Sequence, residues 1–160
     1  MGVVKTFKLD RMDKEILRNV ILRGREGIRA LARELGKSPS TVSERLKRLE
    51  RIGVIRRYTA IIDYSAIGYE VNAITLIQVE GEKIEEIEEM LAKQPNVRGV
   101  FDITGEYDIA LIISFKSVRD LDKFIKNLIR NPYIKRSMTS LIFRVIKDTP
   151  HVEEFLKKKE

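Results

Sequence analysis

The sequence predicts an α+β protein in two parts, an N-terminal three-helix unit and a C-terminal domain of alternating strands and helices. Three observations carry this. Residues 28–55 hold two helix patterns separated by Gly36, the second opened by Ser38-Pro39. From Tyr69 onward the apolar spacing switches between strand and helix periods in the order βαββαβ. The positive charge is also lopsided: residues 1–60 carry 16 Lys and Arg against 7 Asp and Glu, and residues 61–160 carry 15 against 17.

Residues 1–8 read as a loose arm or a short strand. Asp10 can cap a helix from about Arg11 to Leu22, with Met12, Ile16, Leu17, Val20 and Ile21 facing inward. GREG, residues 24–27, is a turn. Ile28, Leu31, Ala32 and Leu35 then mark a short helix that reaches Gly36, a residue suited to a left-handed stop. Ser38 is a good N-cap, Pro39 fits the first helical position, and Val42, Leu46, Leu49 and Ile52 line one face. The opposite face holds Ser40, Thr41, Ser43, Glu44, Arg45, Lys47, Arg48 and Arg51. A tight glycine turn followed by a polar, cationic second helix describes a helix-turn-helix, winged-helix-like in its three-helix layout. Residues 54–63, VIRRYTAIID, read as a linker or a short strand pair, with Arg56 and Arg57 available to a phosphate backbone.

In the second part, residues 71–79 read as a strand and 81–93 as an amphipathic helix through Ile84, Ile87, Met90 and Leu91. Strands follow at 97–104 and 107–115, around a turn at Gly105-Glu106. A helix at 117–130 turns Val118, Leu121, Phe124, Ile125 and Leu128 inward, and a last strand covers 137–147. This order is that of a ferredoxin-like domain, a four-stranded antiparallel sheet with two helices on one face. Along the first strand, Ile74 and Leu76 point one way and Ala73, Thr75, Ile77 and Val79 the other. Both rows are largely apolar, so a second copy of the domain is the expected cover for the helix-free face. The predicted boundaries are 1–53 for the helix-turn-helix domain, 54–68 for the linker, 69–148 for the ferredoxin-like domain and 149–160 for a tail.

With no cysteine, disulfide scaffolds, thiol catalysis and cysteine zinc sites are excluded. No apolar run approaches the roughly 18 residues of a membrane helix, and no secretory signal opens the chain, so a cytoplasmic, nucleoid-associated protein is expected. The only histidine, His151, sits in the polar tail and can build neither a metal site nor a catalytic triad. Glu85-Glu86 and Glu88-Glu89 fall on a solvated helix face. No cofactor is expected, and with no glycine-rich phosphate loop and no metal-ligand cluster an enzyme is disfavoured. The positive excess lies in the half with the helix-turn-helix, which points to double-stranded DNA, because phosphate contacts supply most non-specific affinity.

The whole chain resembles the Lrp/AsnC (feast/famine) transcription regulators. Leu9-Asp10-x-x-Asp13-x-x-Ile16-Leu17 is similar to that family's opening helix, and LARELGKSPSTVSERLKRLERIGVI to its helix-turn-helix. Thr104-Gly105-Glu106-Tyr107-Asp108 lies between the second and third strands, where the family carries a G-x-Y-D turn. Lys37 departs from the generic pattern, which favours an apolar residue after the turn glycine. The resemblance implies dimers that stack into tetramers or octamers. It also implies an amino acid or related small molecule as effector, held between dimers near the G-x-Y-D turn.

For DNA, Ser38, Ser40, Thr41, Ser43, Glu44 and Lys47 are best placed to reach base edges, and Arg45, Arg48 and Arg51 to grip phosphates. For an effector, backbone amides around Gly105 suit a carboxylate, Asp108 can accept from an ammonium, and Tyr107 can cover an apolar part. Thr139 and Ser140 are expected to line the same pocket, and Glu106 lies within the turn. The alternative is a plain strand-connecting turn at a subunit contact. The leading expectation is a sequence-specific regulator answering to a small molecule; the runner-up is an architectural DNA-wrapping protein with little sequence preference and no effector.

Overall fold

Asp10 starts the first helix, α1 (Arg11–Leu22), and closes a reciprocal cap with Asp13: each carboxylate accepts the other residue's backbone amide, at 2.8 and 3.2 Å. The computed structural model describes residues 7–149 and 151–156. Its chain falls into two units, one running to Ile61 and taken up again from Asp148, the other covering Ile62–Lys147. The arm expected over residues 1–8 lies, through residue 6, outside the described residues.

In the first unit α2 (Ile28–Glu34) ends at Gly36, whose φ of 61° is one a side chain with a Cβ rarely adopts. Helix α3 (Pro39–Arg51) starts where Ser38 accepts the Thr41 amide at 3.1 Å. The three helices and the segment after α3 bury Ile16, Leu17, Leu31, Ala32, Val42, Leu46, Leu49 and Ile55 together. Each fully buried aliphatic side chain of this kind contributes about 1.5–3 kcal/mol over an exposed one. Two expected inward residues are not inside: Ile21 is 38% and Ile28 41% exposed, because each lies at the edge of its helix's apolar stripe. The strand pair considered for residues 54–63 does not form, and this segment has no strand or helix. A last short helix, Glu153–Leu156, returns to this unit: Phe155 packs on the helical core, and its carbonyl accepts from Arg18 Nε at 2.9 Å.

The second unit is an antiparallel sheet of β1 (Val71–Val79), β2 (Val97–Asp102), β3 (Ile109–Phe115) and β4 (Ile134–Leu141), in spatial order β2-β3-β1-β4. Helices α4 (Ile84–Ala92) and α5 (Val118–Leu128) cover one face. Ala73, Thr75, Ile77 and Val79 point into that core, with Ile109, Leu111 and Ile113 beside them from β3. The first turn of the helix expected from 81 is a tighter 3-10 turn over Gly81–Lys83. Val118, expected inward, is 61% exposed at the first position of α5, before the apolar stripe begins.

The fourth strand is displaced from its expected place at 137–147. It begins at Ile134, which pairs with Val79 beyond a register shift, and ends at Leu141. One further bond, Ile142 N to Asn72 O at 2.8 Å, prolongs the pairing to one residue short of the start of β1. Phe143, past the last bond of the pair, is 98% exposed.

The other sheet face carries no helix. The register sets Ile74 between Ile112 and Ser140, and Leu76 between Ala110 and Met138. Ile74, Phe101 and Met138 stay between 43% and 50% exposed there. The result is a contiguous apolar surface on a single chain, the kind of patch that marks an interface.

Candidate nucleic-acid interface

The candidate recognition surface is the outward face of α3. Val42, Leu46 and Leu49 anchor its inner side, so Ser40, Thr41, Glu44, Lys47 and Arg51 are presented to solvent and Ser43 is half-buried. Ser38 is spent on the helix start: besides accepting from Thr41 N, its hydroxyl lies 2.9 Å from Ser40 Oγ and 2.7 Å from Thr41 Oγ1. The structure thus links three of the expected base-reading residues in one hydroxyl cluster at the N-terminal end of α3.

Arg45 and Arg48, expected to grip phosphates, also pair with acids at the start of α1. Arg45 Nη1 donates to Asp13 Oδ1 at 3.0 Å and also to Asp10; Arg48 Nη1 donates to Asp13 Oδ2 at 2.8 Å. The physical reason is Asp13, which has no exposed surface and must have its charge compensated. The bond from Arg45 holds the Asp10 carboxyl below its ordinary value. Burial alone would push Asp13 up, but the bonds from Arg45 and Arg48 outweigh it, so this carboxyl too lies below the usual range. The two acids in turn raise the Arg45 guanidinium. No ion pair among the described residues engages Glu44, Lys47 or Arg51. Sequence reasoning passed over Asp13 as part of a helix-start pattern. The available signal was a second acid one turn after the cap, on the same side as Ile16 and Leu17.

Beside α3 a groove of about 350 Å³ is lined by Val20, Ile28, Leu31, Leu46, Lys47 and Tyr58, among others. Tyr58 reaches back from the segment after α3 and donates its hydroxyl to Glu50 at 2.8 Å. Burial and that carboxylate push the phenol up to about 12.

In the second unit the turn Gly105–Asp108 leads into β3. Gly105 has φ 123°, and nothing lies within 4 Å of where a Cβ would stand, so backbone conformation and not space requires glycine. Tyr107 is buried, its ring 5.6 Å from the Arg136 guanidinium, and Arg136 pairs with Glu106 at 2.7 Å. Asp108 accepts the Val79 amide at 2.8 Å. Thr139 and Ser140 do not join them. Thr139 meets Thr75 at 3.0 Å, on the helix-covered side, and Ser140 lies opposite Ile74, farther along β4. Adjacent residues of a strand point to opposite faces, so the two cannot line one pocket. Arg136 was missed, because it falls just before the strand expected from 137.

Among the described residues there is no group of His, Cys, Asp or Glu able to hold a metal, and no helix is long and apolar enough to cross a membrane. A helix-turn-helix joined to a separate βαββαβ ligand domain defines a DNA-binding transcription regulator, not an enzyme. Residues 9–56 match the winged helix-turn-helix DNA-binding domain and residues 72–152 the Lrp/AsnC ligand binding domain. The chain belongs to the Lrp/AsnC family.

Its relatives agree. An HTH-type transcriptional regulator of Pyrococcus abyssi is 37% identical over 145 residues, covering 91% of this chain and 99% of the relative. The HTH-type transcriptional regulator FL11 of Pyrococcus horikoshii is 33% identical over 141 residues, 88% of this chain and 93% of its own length. Among solved structures, LrpC of B. subtilis shares 29% identity at a TM-score of 0.78, covering 88% of this chain and 99% of LrpC. A Neisseria meningitidis transcriptional regulator in complex with L-Met shares 26% identity at a TM-score of 0.84, covering 91% of this chain and 96% of that one.

Proposed function

We propose that the protein is a sequence-specific DNA-binding regulator whose DNA affinity or oligomeric state answers to an amino acid or a related small molecule. The observation that carries this reading is the exposed face of α3. Ser40, Thr41, Glu44 and Lys47 stand opposite a buried Val42, Leu46 and Leu49, so polar side chains of mixed donor and acceptor character face outward on a rigid helix. Such a helix reads base edges in the major groove: Lys47 suits guanine and Glu44 the amino group of cytosine. Arg51 and the free edges of Arg45 and Arg48 meet phosphates.

One such helix per chain gives little specificity. A dimer formed through the open sheet face, around Ile74, Leu76 and Met138, supplies the second and can stack into tetramers or octamers. The effector reading is supported by the turn at Gly105, its exposed backbone and the Arg136–Glu106 pair beside it. It is supported too by the similarity to the Neisseria regulator with bound L-Met. In vitro selection of bound DNA, repeated with and without each amino acid, tests the whole proposal. A near-palindromic consensus whose enrichment shifts with one amino acid is expected. Even recovery of all sequences would favour the architectural role.

A further inference from the structure

A carboxylate with no exposed surface is a costly neighbour for a helix that contacts DNA. Asp13 accepts from the Asp10 amide, from Arg45 and from Arg48, and Asp10 adds a second carboxylate to Arg45. By charge alone these acids oppose binding, since they neutralise two cations of α3 and repel phosphate. Yet neither arginine is used up. A guanidinium carries five N–H donors in one rigid plane. The bonds to the acids employ only Nη1 of each, and the two side chains remain 31% and 40% exposed. An arginine that swings freely must give up its rotamer freedom on meeting a phosphate; one already held has done so beforehand.

We propose that Asp13 is a positioning residue for DNA binding, holding Arg45 and Arg48 in one orientation so that their remaining donors meet the phosphate backbone. The inference rests on α3 being the DNA-contacting helix. It goes beyond that reading by giving a buried acid on α1 a part in affinity.

Electrostatics and positioning predict opposite signs for Asp13→Asn, which keeps the side-chain volume and removes the negative charge. Binding to a mixed-sequence DNA duplex is measured by fluorescence anisotropy across a salt series, with circular dichroism to monitor the fold. Positioning predicts that affinity falls about tenfold and that the salt slope flattens by about one to two, despite the added net charge. Tighter binding with a steeper slope would mean that Asp13 merely screens, and would overturn the proposal. Should Asp13→Asn not fold, Arg48→Lys keeps every charge and leaves Asp13 paired with Arg45. A lysine cannot serve the acid and a phosphate with one rigid fork, so about three- to tenfold weaker binding is expected; unchanged affinity overturns the proposal. Lys47→Gln separates the two readings. Weaker binding by Lys47→Gln with tighter binding by Asp13→Asn keeps α3 as the DNA helix and rejects positioning, whereas no change with either variant rejects both.

Discussion

The Asp108 carboxylate and the Val79 amide meet at 2.8 Å, tying the G-x-Y-D turn to the end of the central strand. The residue expected to hold an effector's ammonium therefore has one oxygen committed to the sheet before any ligand arrives. Val79 is 4% exposed, so its amide has no easy recourse to water. Asp108→Ala should cost about 1–2 kcal/mol in denaturant unfolding. Asp108→Asn keeps an acceptor and should leave the fold stable while abolishing the heat of amino-acid binding in calorimetry. Equal heats from Asp108→Asn and the wild type would show the carboxylate to be structural only.

Thr75 is fully buried, and its hydroxyl is 3.0 Å from that of Thr139 across the β1–β4 pair. Replacing either alone by valine leaves one hydroxyl without its partner and should destabilise by about 1 kcal/mol or more. Replacing both removes the demand together, so the double variant should melt closer to the wild type than the sum of the singles. Additive losses in chemical denaturation would sink this.

Acid should act on the helical unit through Asp10 and Asp13. Both carboxyls lie below their ordinary value in the folded state, Asp10 through Arg45, and Asp13 because Arg45 and Arg48 overcome its burial. The unfolded chain then binds protons first as pH falls. The stabilisation is complete above about pH 4, the unfolded carboxylate range, and is lost as pH descends through the lower folded values. Melting temperature recorded from about pH 6 down to pH 3 should fall more steeply for the wild type than for Asp10→Asn.

The open sheet face should answer to a single charge. Ile74 sits at its centre between Ile112 and Ser140 and is 43% exposed in one chain. Ile74→Glu should break the proposed sheet-to-sheet dimer, read as a lower mass in light scattering, while the chain keeps its circular dichroism spectrum. An unchanged mass would place the interface elsewhere.

Legibility followed the strength of the local rule. The starts of α1 and α3 stand where Asp10 and Ser38 cap them, since a cap acts over one turn and is written in four adjacent residues. The strand order emerged from alternation and two helix stripes. What escaped were features set by distant partners. The start of β4 is fixed by pairing across a shifted register with Val79, which no local pattern in Ile134–Arg136 announces. Ile28 and Val118 fit an inward stripe by spacing and lie outside it because their helices begin there. In the candidate site, the outward face of α3 was visible from spacing, but the bonds from Arg45 and Arg48 to Asp13 join residues more than thirty apart. Tail residues 149–160 read as polar because Phe155 is a lone aromatic among charges, and its neighbour is Arg18 at the other end of the chain.

That last contact orders events in time. Phe155 packs on a core made by residues from the first third of the chain, so the helical unit draws on both ends of the sequence. A ribosome working from the N-terminus releases α1, α2 and α3 long before Phe155, with the whole sheet domain translated in between. The helices can bury Ile16 to Ile55 beforehand, and the ring that packs against that core arrives only after the sheet domain has been made. A message cut short of Phe155 yields a helical unit without that covering ring.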